Sequence, residues 1–155
     1  MTGEIRRTTT VWHPWLFRIG RFSLLSDHVV VYNLGEVSVG EHTVVSQDVY
    51  LCAGTHDHTR PDLPLVRATI RIGSGVWICA GAFIGPGVTI GDNCIVGARA
   101  VVMKDVPPGV IVVGNPARIV SERPMPDVDL PGAGRSDYKV EAARVDEPTP
   151  EARPG

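Results

Sequence analysis

The string Thr55-His56-Asp57-His58 contains the residue types in this chain best suited to proton transfer. A neutral imidazole accepts a proton near pH 7, so a histidine held beside a substrate can serve as a general base. His56 is the stronger candidate, because it lies where a regular repeat gives way to a loop. The Asp57 carboxylate could orient its imidazole, and a backbone carbonyl could do so equally well. The alternatives are that His56 is an ordinary surface histidine and that His58 lines an acceptor site or faces water.

A six-residue repeat between Ile72 and Lys104 is the framework that must position this string. Aliphatic residues occupy its first position, and small or β-branched residues occupy its fifth. The first positions are Ile72, Ile78, Ile84, Ile90, Val96 and Val102, and the fifth positions are Val76, Ala82, Val88, Cys94, Ala100 and Val106. No helix has a period of six, so the repeat indicates one small unit stacked on copies of itself. A series of short sandwich strands is the alternative.

Three such units make one triangular coil of a parallel β-helix, in which residues about 18 positions apart stack on each other. The backbone hydrogen bonds of each coil are then supplied by the next coil. The pairs expected to stack are Ile72 with Ile90, Ile78 with Val96, and Ile84 with Val102.

The same repeat runs less regularly through residues 19–52 and slips by two residues around Asn33-Leu34-Gly35. Residues 57–71 then interrupt it with Pro61 and Pro64, and an insertion in a solenoid loops out on one face, often the binding face. The expected segments are an N-terminal cap over 1–18, an all-β parallel β-helix domain over 19–120 with a loop insertion at about 57–71, and a Pro-rich, largely disordered tail over 121–155.

Length and composition limit the function classes. The chain has 155 residues, enough for one domain, and a net charge of −2 without a basic stripe, which argues against nucleic-acid binding. It contains no apolar run near 20 residues and no recognisable signal peptide. The three cysteines occupy small positions of the repeat, as expected for a protein in a reducing compartment. We therefore predict a cytoplasmic protein.

Metal catalysis is the other chemistry that histidines allow. The chain has five, which are His13, His28, His42, His56 and His58. A catalytic zinc needs three converging protein ligands and an open position. His42 falls at a fourth repeat position and His56 at a sixth, so their side chains should leave different corners of the coil. We therefore predict no metal, with a zinc enzyme of the carbonic anhydrase type as an alternative.

Three strings of this sequence resemble the hexapeptide-repeat acetyltransferases, above all those of colanic acid biosynthesis, with nodulation, maltose, galactoside and xenobiotic acetyltransferases nearby. They are I-R-I-G-S-G-V-W-I-C-A-G-A-F-I-G-P-G-V-T-I-G, V-V-M-K-D-V-P-P-G with V-G-N-P-A-R-I-V, and S-Q-D-V-Y-L-C-A-G-T-H-D-H. The resemblance covers about residues 12–120. It implies a left-handed parallel β-helix, an exception to right-handed crossovers, and a homotrimer with active sites between neighbouring subunits.

The resemblance also implies an activity, the acetyl-CoA-dependent O-acetylation of a sugar or glycan intermediate in surface polysaccharide biosynthesis. In this reading His56 takes the proton of the acceptor hydroxyl, and the alkoxide attacks acetyl-CoA directly, without an acyl-enzyme. A non-catalytic trimeric β-helix that scaffolds or binds glycans is the alternative from another class.

The remaining site residues follow from the same resemblance. The residues matched to the coenzyme are Ala80, Gly81 and Ala98 along the pantetheine arm, Lys104 and Arg118 at the phosphates, and Trp77 at the arm or the trimer interface. The residues matched to the acceptor are Asn33, Asp27, Asp57 and His58. The segment from Trp12 to Leu16 resembles a stretch that follows further N-terminal sequence in relatives, which suggests a lost first coil or a shortened start.

Overall fold

A computed structural model describes residues 3–124 and shows a parallel β-helix. Eighteen short strands and one 3-10 turn, Pro14–Leu16, make up this part of the chain. Sheet A contains β1 Glu4–Ile5, β4 Leu24–Leu25, β7 Val44–Val45, β12 Trp77–Ile78, β15 Ile95–Val96, β17 Val110–Val113 and β18 Arg118–Glu122. Sheet B contains β2 Thr10–Val11, β5 Val30–Tyr32, β8 Tyr50–Cys52, β13 Phe83–Ile84 and β16 Val101–Val102. Sheet C contains β3 Phe17–Ile19, β6 Val37–Val39, β11 Ile70–Ile72 and β14 Thr89–Ile90, and a separate hairpin contains β9 Gly54–His56 and β10 Leu65–Arg67.

The stacking register confirms the predicted β-helix. Ile72 pairs with Ile90, Ile78 with Val96, and Ile84 with Val102, each in parallel register. The residues at the first and fifth repeat positions are all buried, whereas the residue before each first position faces outward. The interior is therefore a set of aliphatic columns, and the outward positions are available for contacts with other molecules.

Coil length varies where the repeat is irregular. Leu24 pairs with Val44 twenty residues later, whereas Trp77 pairs with Ile95 eighteen residues later. The two extra residues fall at the corners, as the slip around Asn33-Leu34-Gly35 predicted. Corners tolerate such additions because they lie outside the paired strands.

The N-terminal residues differ from the prediction of a cap segment without a repeat. Strands β1, β2 and β3 pair in parallel with β4, β5 and β6 respectively, so residues 4–19 form a further coil. The repeat is irregular in this coil, because the 3-10 turn Pro14–Leu16 separates β2 from β3. None of the helical structure in residues 3–124 is long and apolar enough to span a membrane.

The insertion is a hairpin with bounds that differ from the predicted 57–71. Strands β9 and β10 pair antiparallel from Gly54 to Arg67, and the core resumes at the fully buried Ile70. The hairpin leaves the corner between sheets B and C, since β8 precedes it and β11 follows it.

The C-terminal strand carries the folded chain slightly beyond the predicted boundary at Ser121. Strand β18 pairs antiparallel with β17 as far as Glu122, and the Arg123 side chain donates to the Gly75 carbonyl at 2.6 Å. The rest of the predicted disordered tail, residues 125–155, lies outside the described residues.

The three outer faces differ in polarity. The outward residues of sheet C are Arg18, Ser38, Arg71 and Thr89, whereas those of sheet A include Leu24, Val44, Trp77 and Ile95, and those of sheet B include Val30, Tyr50, Phe83 and Val101. Tyr50 and Phe83 stack with ring centroids 5.7 Å apart. Sheet C thus presents a polar face, and sheets A and B present apolar ones.

Gly35 shows how closely the coils approach at the root of the hairpin. A Cβ at this position would collide with the main chain of Ala68, which cannot move aside without breaking its own hydrogen bond to the Ala53 carbonyl. At Gly85 the nearest atoms belong to the exposed, flexible side chain of Met103. The same substitution should therefore have different costs at the two positions.

We expect Gly35→Ala to lower the free energy of unfolding by about 3 kcal/mol, because main-chain atoms must shift. Gly85→Ala should cost less, about 1 kcal/mol, because the two nearest atoms belong to the flexible Met103 side chain and the Val102 carbonyl need give by only a few tenths of an ångström. Chemical denaturation of both variants at one protein concentration measures the difference. Equal losses would contradict this account of the corner.

Candidate active site

His56 occupies the end of β9, on the hairpin that leaves the β-helix. Its Nδ1 lies 2.6 Å from the carbonyl oxygen of Leu63. A carbonyl oxygen can only accept a hydrogen bond, so Nδ1 carries the hydrogen. In the neutral imidazole the lone pair therefore resides on Nε2, and the side chain is exposed to solvent. This arrangement produces an oriented, accessible proton acceptor.

Leu63 is held in an unusual conformation to make this contact. Its φ of 44° lies in the left-handed region, which non-glycine residues rarely adopt. Its N–H donates to the Arg60 carbonyl at 3.1 Å, and the Arg60 guanidinium forms two hydrogen bonds with the Asp62 carboxylate at 3.0 and 2.7 Å. The turn thus fixes the carbonyl that orients His56. Sequence reasoning missed Leu63, because a residue that acts through its main chain leaves no side-chain signal.

Asp57 does not orient His56. Its carboxylate accepts hydrogen bonds from the Thr59 hydroxyl at 2.6 Å and the Thr59 N–H at 3.0 Å. These bonds stabilise the charged form and lower the pKa of Asp57. Asp57 therefore closes the hairpin turn, and of the two orienting groups considered, the backbone carbonyl is the one present. His58 is exposed on the same turn.

Lys104 and Arg118 come together at the C-terminal end of the β-helix. Both line one cleft of about 640 Å³, whose floor is formed by core residues of the last coil. Lys104 follows β16 and Arg118 begins β18, so two separate elements bring the positive charges to one place. Two cations at an open cleft can bind a polyanion such as a phosphate-bearing ligand.

Ala80, Gly81 and Ala98 lie at the corner between sheets A and B. The Ala80 carbonyl accepts from the Arg99 N–H at 2.9 Å, and the Gly81 N–H donates to the Gln47 carbonyl at 3.0 Å. Gly81 has a φ of 67°, which favours glycine at this turn. The small residues leave main chain open to an extended ligand along the corner.

Trp77 projects from sheet A next to this corner and is 47% exposed. Its indole N–H donates to the Ser46 hydroxyl at 3.1 Å, which fixes the ring against the neighbouring coil. A large, fixed and exposed indole is typical of a contact surface.

These groups and His56 occupy different corners of the triangular coil. The hairpin leaves the corner between sheets B and C, whereas Ala80, Gly81 and Ala98 lie between sheets A and B. One chain therefore presents two separate sets of candidate residues.

The predicted acceptor residues Asn33 and Asp27 lie at different corners of the coil, Asn33 between sheets B and C and Asp27 between sheets A and B. Asn33 is fully buried, and its side-chain amide donates to the His13 carbonyl at 2.7 Å and accepts from the His13 N–H at 2.9 Å. It therefore holds the N-terminal coil in place, and its polar atoms are not free to meet an acceptor. Asp27 is exposed at the corner between sheets A and B and accepts from the Thr8 hydroxyl at 2.7 Å.

Metal-binding side chains do not cluster in the part of the chain that the structure describes. No three histidine, cysteine, aspartate or glutamate residues between 3 and 124 are close enough to hold one ion. The cysteines in this part are free, and burial raises the pKa of the Cys79 thiol.

Known proteins share the repeat and the fold. Residues 69–104 match the family model described as bacterial transferase hexapeptide (six repeats). The chain is 41% identical over 119 residues to an Escherichia coli (strain K12) protein named as a colanic acid biosynthesis acetyltransferase, WcaF, covering 77% of this chain and 65% of that protein. It belongs to the hexapeptide-repeat acetyltransferase family.

Further members of this family support the assignment. Galactoside O-acetyltransferase of E. coli (strain K12) is 34% identical over 81% of this chain and 62% of its own length. A hexapeptide-repeat acetyltransferase of Vibrio cholerae O1 biovar eltor, solved with acetyl-CoA, is 27% identical with a TM-score of 0.67, covering 79% of this chain and 66% of that one. The chain thus spans just under two thirds of the length of the two curated relatives.

The contact between His56 and the Leu63 carbonyl predicts which tautomer the neutral His56 imidazole adopts. We expect neutral His56 to carry its hydrogen on Nδ1, because the Leu63 carbonyl oxygen beside Nδ1 can only accept a hydrogen bond. Long-range ¹H–¹⁵N NMR correlation of the imidazoles above their titration range measures this. His13 is an internal control, since its Nδ1 lies 3.1 Å from the Asn33 carbonyl oxygen. Finding the hydrogen of His56 on Nε2 would contradict the geometry.

Proposed function

We propose that this chain is an acetyl-CoA-dependent O-acetyltransferase that acetylates a hydroxyl of a sugar or glycan intermediate in surface polysaccharide biosynthesis. The observation that carries the proposal is the oriented, solvent-facing Nε2 of His56 on a hairpin of a hexapeptide-repeat β-helix. The named activities of the relatives, colanic acid biosynthesis acetyltransferase and galactoside O-acetyltransferase, support the substrate class. The cytoplasm, where acetyl-CoA is made, is the compartment that we propose.

The proposed reaction uses His56 as its only proton carrier. Nε2 takes the proton of the acceptor hydroxyl as its oxygen attacks the carbonyl carbon of the thioester. The carbon–sulfur bond breaks, and the coenzyme A sulfur leaves with the proton that the imidazolium returns. The Leu63 carbonyl oxygen accepts a hydrogen bond from Nδ1–H throughout the reaction. This bond holds the ring in place and stabilises the imidazolium that forms. No covalent bond to the protein is formed.

The general base is tested by a screen of sugars for a mass gain of one acetyl group, run with the wild type and with His56→Ala. We expect His56→Ala to lower turnover by about 10²–10⁴-fold, because proton transfer is lost. Its KM for acetyl-CoA should change little.

The matched control for this test is His58→Ala, an exposed histidine on the same turn. It should retain most of the turnover. A folded His56→Ala variant with near-normal turnover would exclude His56 as the base, and a wild type that acetylates no sugar would favour the scaffold alternative.

We propose that Lys104 and Arg118 bind the phosphates of the coenzyme in the cleft that they share. A charge-assisted hydrogen bond to phosphate contributes about 1.5–3 kcal/mol. Lys104→Ala or Arg118→Ala should therefore raise the KM for acetyl-CoA by roughly tenfold or more. The effect should fall on KM more than on kcat, because the phosphates lie far from the thioester and are bound equally in ground and transition states.

Steady-state kinetics with varied acetyl-CoA measures this split, and Arg21→Ala is the control, because the Arg21 guanidinium is paired with Glu41 and should not affect either constant. A loss of kcat alone, with KM unchanged, would exclude Lys104 or Arg118 as a phosphate anchor.

We propose that the active form is a homotrimer with its sites between neighbouring subunits. Two of the three outer faces are apolar, and the predicted coenzyme residues lie at a different corner from His56. Packing the apolar faces of neighbouring copies together would bury them and would combine the two sets of residues.

Sedimentation should give three times the 16.7 kDa mass of one chain. Ile95→Glu places a charge on the outer face of sheet A and should dissociate the assembly. Ser38→Glu places the same charge on the polar face of sheet C and should leave it intact. A stable, active monomer would contradict both the assembly and the location of the sites.

A further inference from the structure

A second cleft, of about 250 Å³, lies beside the hairpin that carries His56, and the reaction proposed above assigns it no role. We call it the Trp15 cleft. Its lining residues are His13, Trp15, Leu16, Leu34, Leu65 and Arg67. They come from the 3-10 turn of the first coil, the irregular corner of the second and the returning strand of the hairpin.

The register of the hairpin places this cleft on the same side as the candidate base. Leu65 lies directly opposite His56 in the antiparallel ladder, and opposed residues project their side chains to one face. Arg67 lies two residues after Leu65 and so projects to that face as well. A molecule in the Trp15 cleft would therefore adjoin the His56 side chain of the same chain.

The cleft has a rigid aromatic wall. The imidazole, N–H and carbonyl of His13 are all bonded to the buried Asn33. The Trp15 ring packs edge-on against the His13 ring, with centroids 5.1 Å apart, yet is 74% exposed. An indole that is fixed in place and left in water is suited to stack on the apolar C–H face of a sugar ring.

The cleft also has an available positive charge. Arg67 is exposed, and its guanidinium forms no ion pair with any residue of the described range 3–124. None of the lining residues is acidic. By contrast, Arg60 on the same hairpin is paired with Asp62. A free guanidinium beside an aromatic wall favours a ligand that carries an oxyanion.

We propose that the Trp15 cleft binds the acceptor, and that the acceptor is a sugar carrying a phosphate or carboxylate. Its ring lies against Trp15, its oxyanion binds the Arg67 guanidinium, and the hydroxyl to be acetylated points toward Nε2 of His56. The inference rests on the proposed function for the role of acceptor. It also gives Asn33 a role in the site, as the residue that positions His13 and Trp15.

The test measures binding of the acceptor rather than turnover. It uses the full chain with free coenzyme A in place of acetyl-CoA, so that no transfer can occur. The probes are galactose, galactose 1-phosphate and galacturonic acid, titrated by calorimetry or ligand-observed NMR. We expect both charged probes to bind more tightly than galactose. Arg67→Gln should weaken the better charged probe about tenfold and should leave galactose within about twofold. Arg21→Gln, a control outside the hairpin whose guanidinium is paired with Glu41, should change none of them.

Which charged probe binds better identifies the oxyanion as phosphate or carboxylate. Trp15→Ala should weaken all three probes, whereas Trp12→Ala, which removes an exposed indole packed on Tyr32, should not. The proposal is overturned if neither charged probe binds saturably, if Arg21→Gln and Arg67→Gln have equal effects, or if Trp15→Ala dissociates the assembly in sedimentation.

The outcomes separate this inference from the proposed function. If sugars are acetylated but Arg67→Gln leaves the preference for charged probes unchanged, the Trp15 cleft is not the acceptor site and the proposed function stands. If the binding pattern holds but no sugar gains an acetyl group, the proposed function fails and the cleft remains a site for anionic sugars.

Discussion

The hydrogen bonds between successive coils are the interaction on which the rest of this structure depends. Strands of two to five residues cannot hold their own conformation, so each coil relies on the next for its main-chain partners. The Gly73, Cys79 and Gly85 N–H groups, for example, donate to carbonyls of the following coil at 2.8–2.9 Å. Because the strands that form the three sides of a coil are short, the interior that they enclose is narrow. One aliphatic residue at the first position and one small residue at the fifth fill it on each side.

The same constraint determines where function can be placed. A paired strand cannot change length without losing partners, whereas a corner can lengthen, as it does before Val37 and in the hairpin. The candidate base, its orienting carbonyl and the Trp15 cleft all lie at one lengthened corner. The end of the stack is a second place where no further coil has to pair. The Lys104–Arg118 cleft lies there, and core residues of the last coil form its floor.

The repeat made the fold predictable, because every sixth residue is an aliphatic residue that is buried in the interior. The stacking pairs and the irregular corner were readable in this way, whereas Lys104 and Arg118 were assigned to one site by the resemblance to the acetyltransferase family. The hairpin bounds were not readable, because β9 and β10 pair with each other outside the six-residue repeat. The first coil was not, because the 3-10 turn Pro14–Leu16 interrupts its repeat. Asn33 illustrates a related point. A polar residue beside a corner can bind a ligand or close the coil, and only the burial of its amide against His13 distinguishes the two.

In the proposed homotrimer, His56 and the coenzyme-lining corner of any one site come from two different copies of the chain. Mixing His56→Ala, which lacks the base, with Ala98→Arg, which obstructs the corner, measures this after co-refolding. Each variant alone should be inactive, and the mixture should recover about a quarter of the wild-type acetyl transfer, the share of interfaces that combine an intact His56 with an intact Ala98. A mixture as inactive as its parents, with mixed assemblies present by native mass spectrometry, would show that both groups act within one chain and would contradict the divided site.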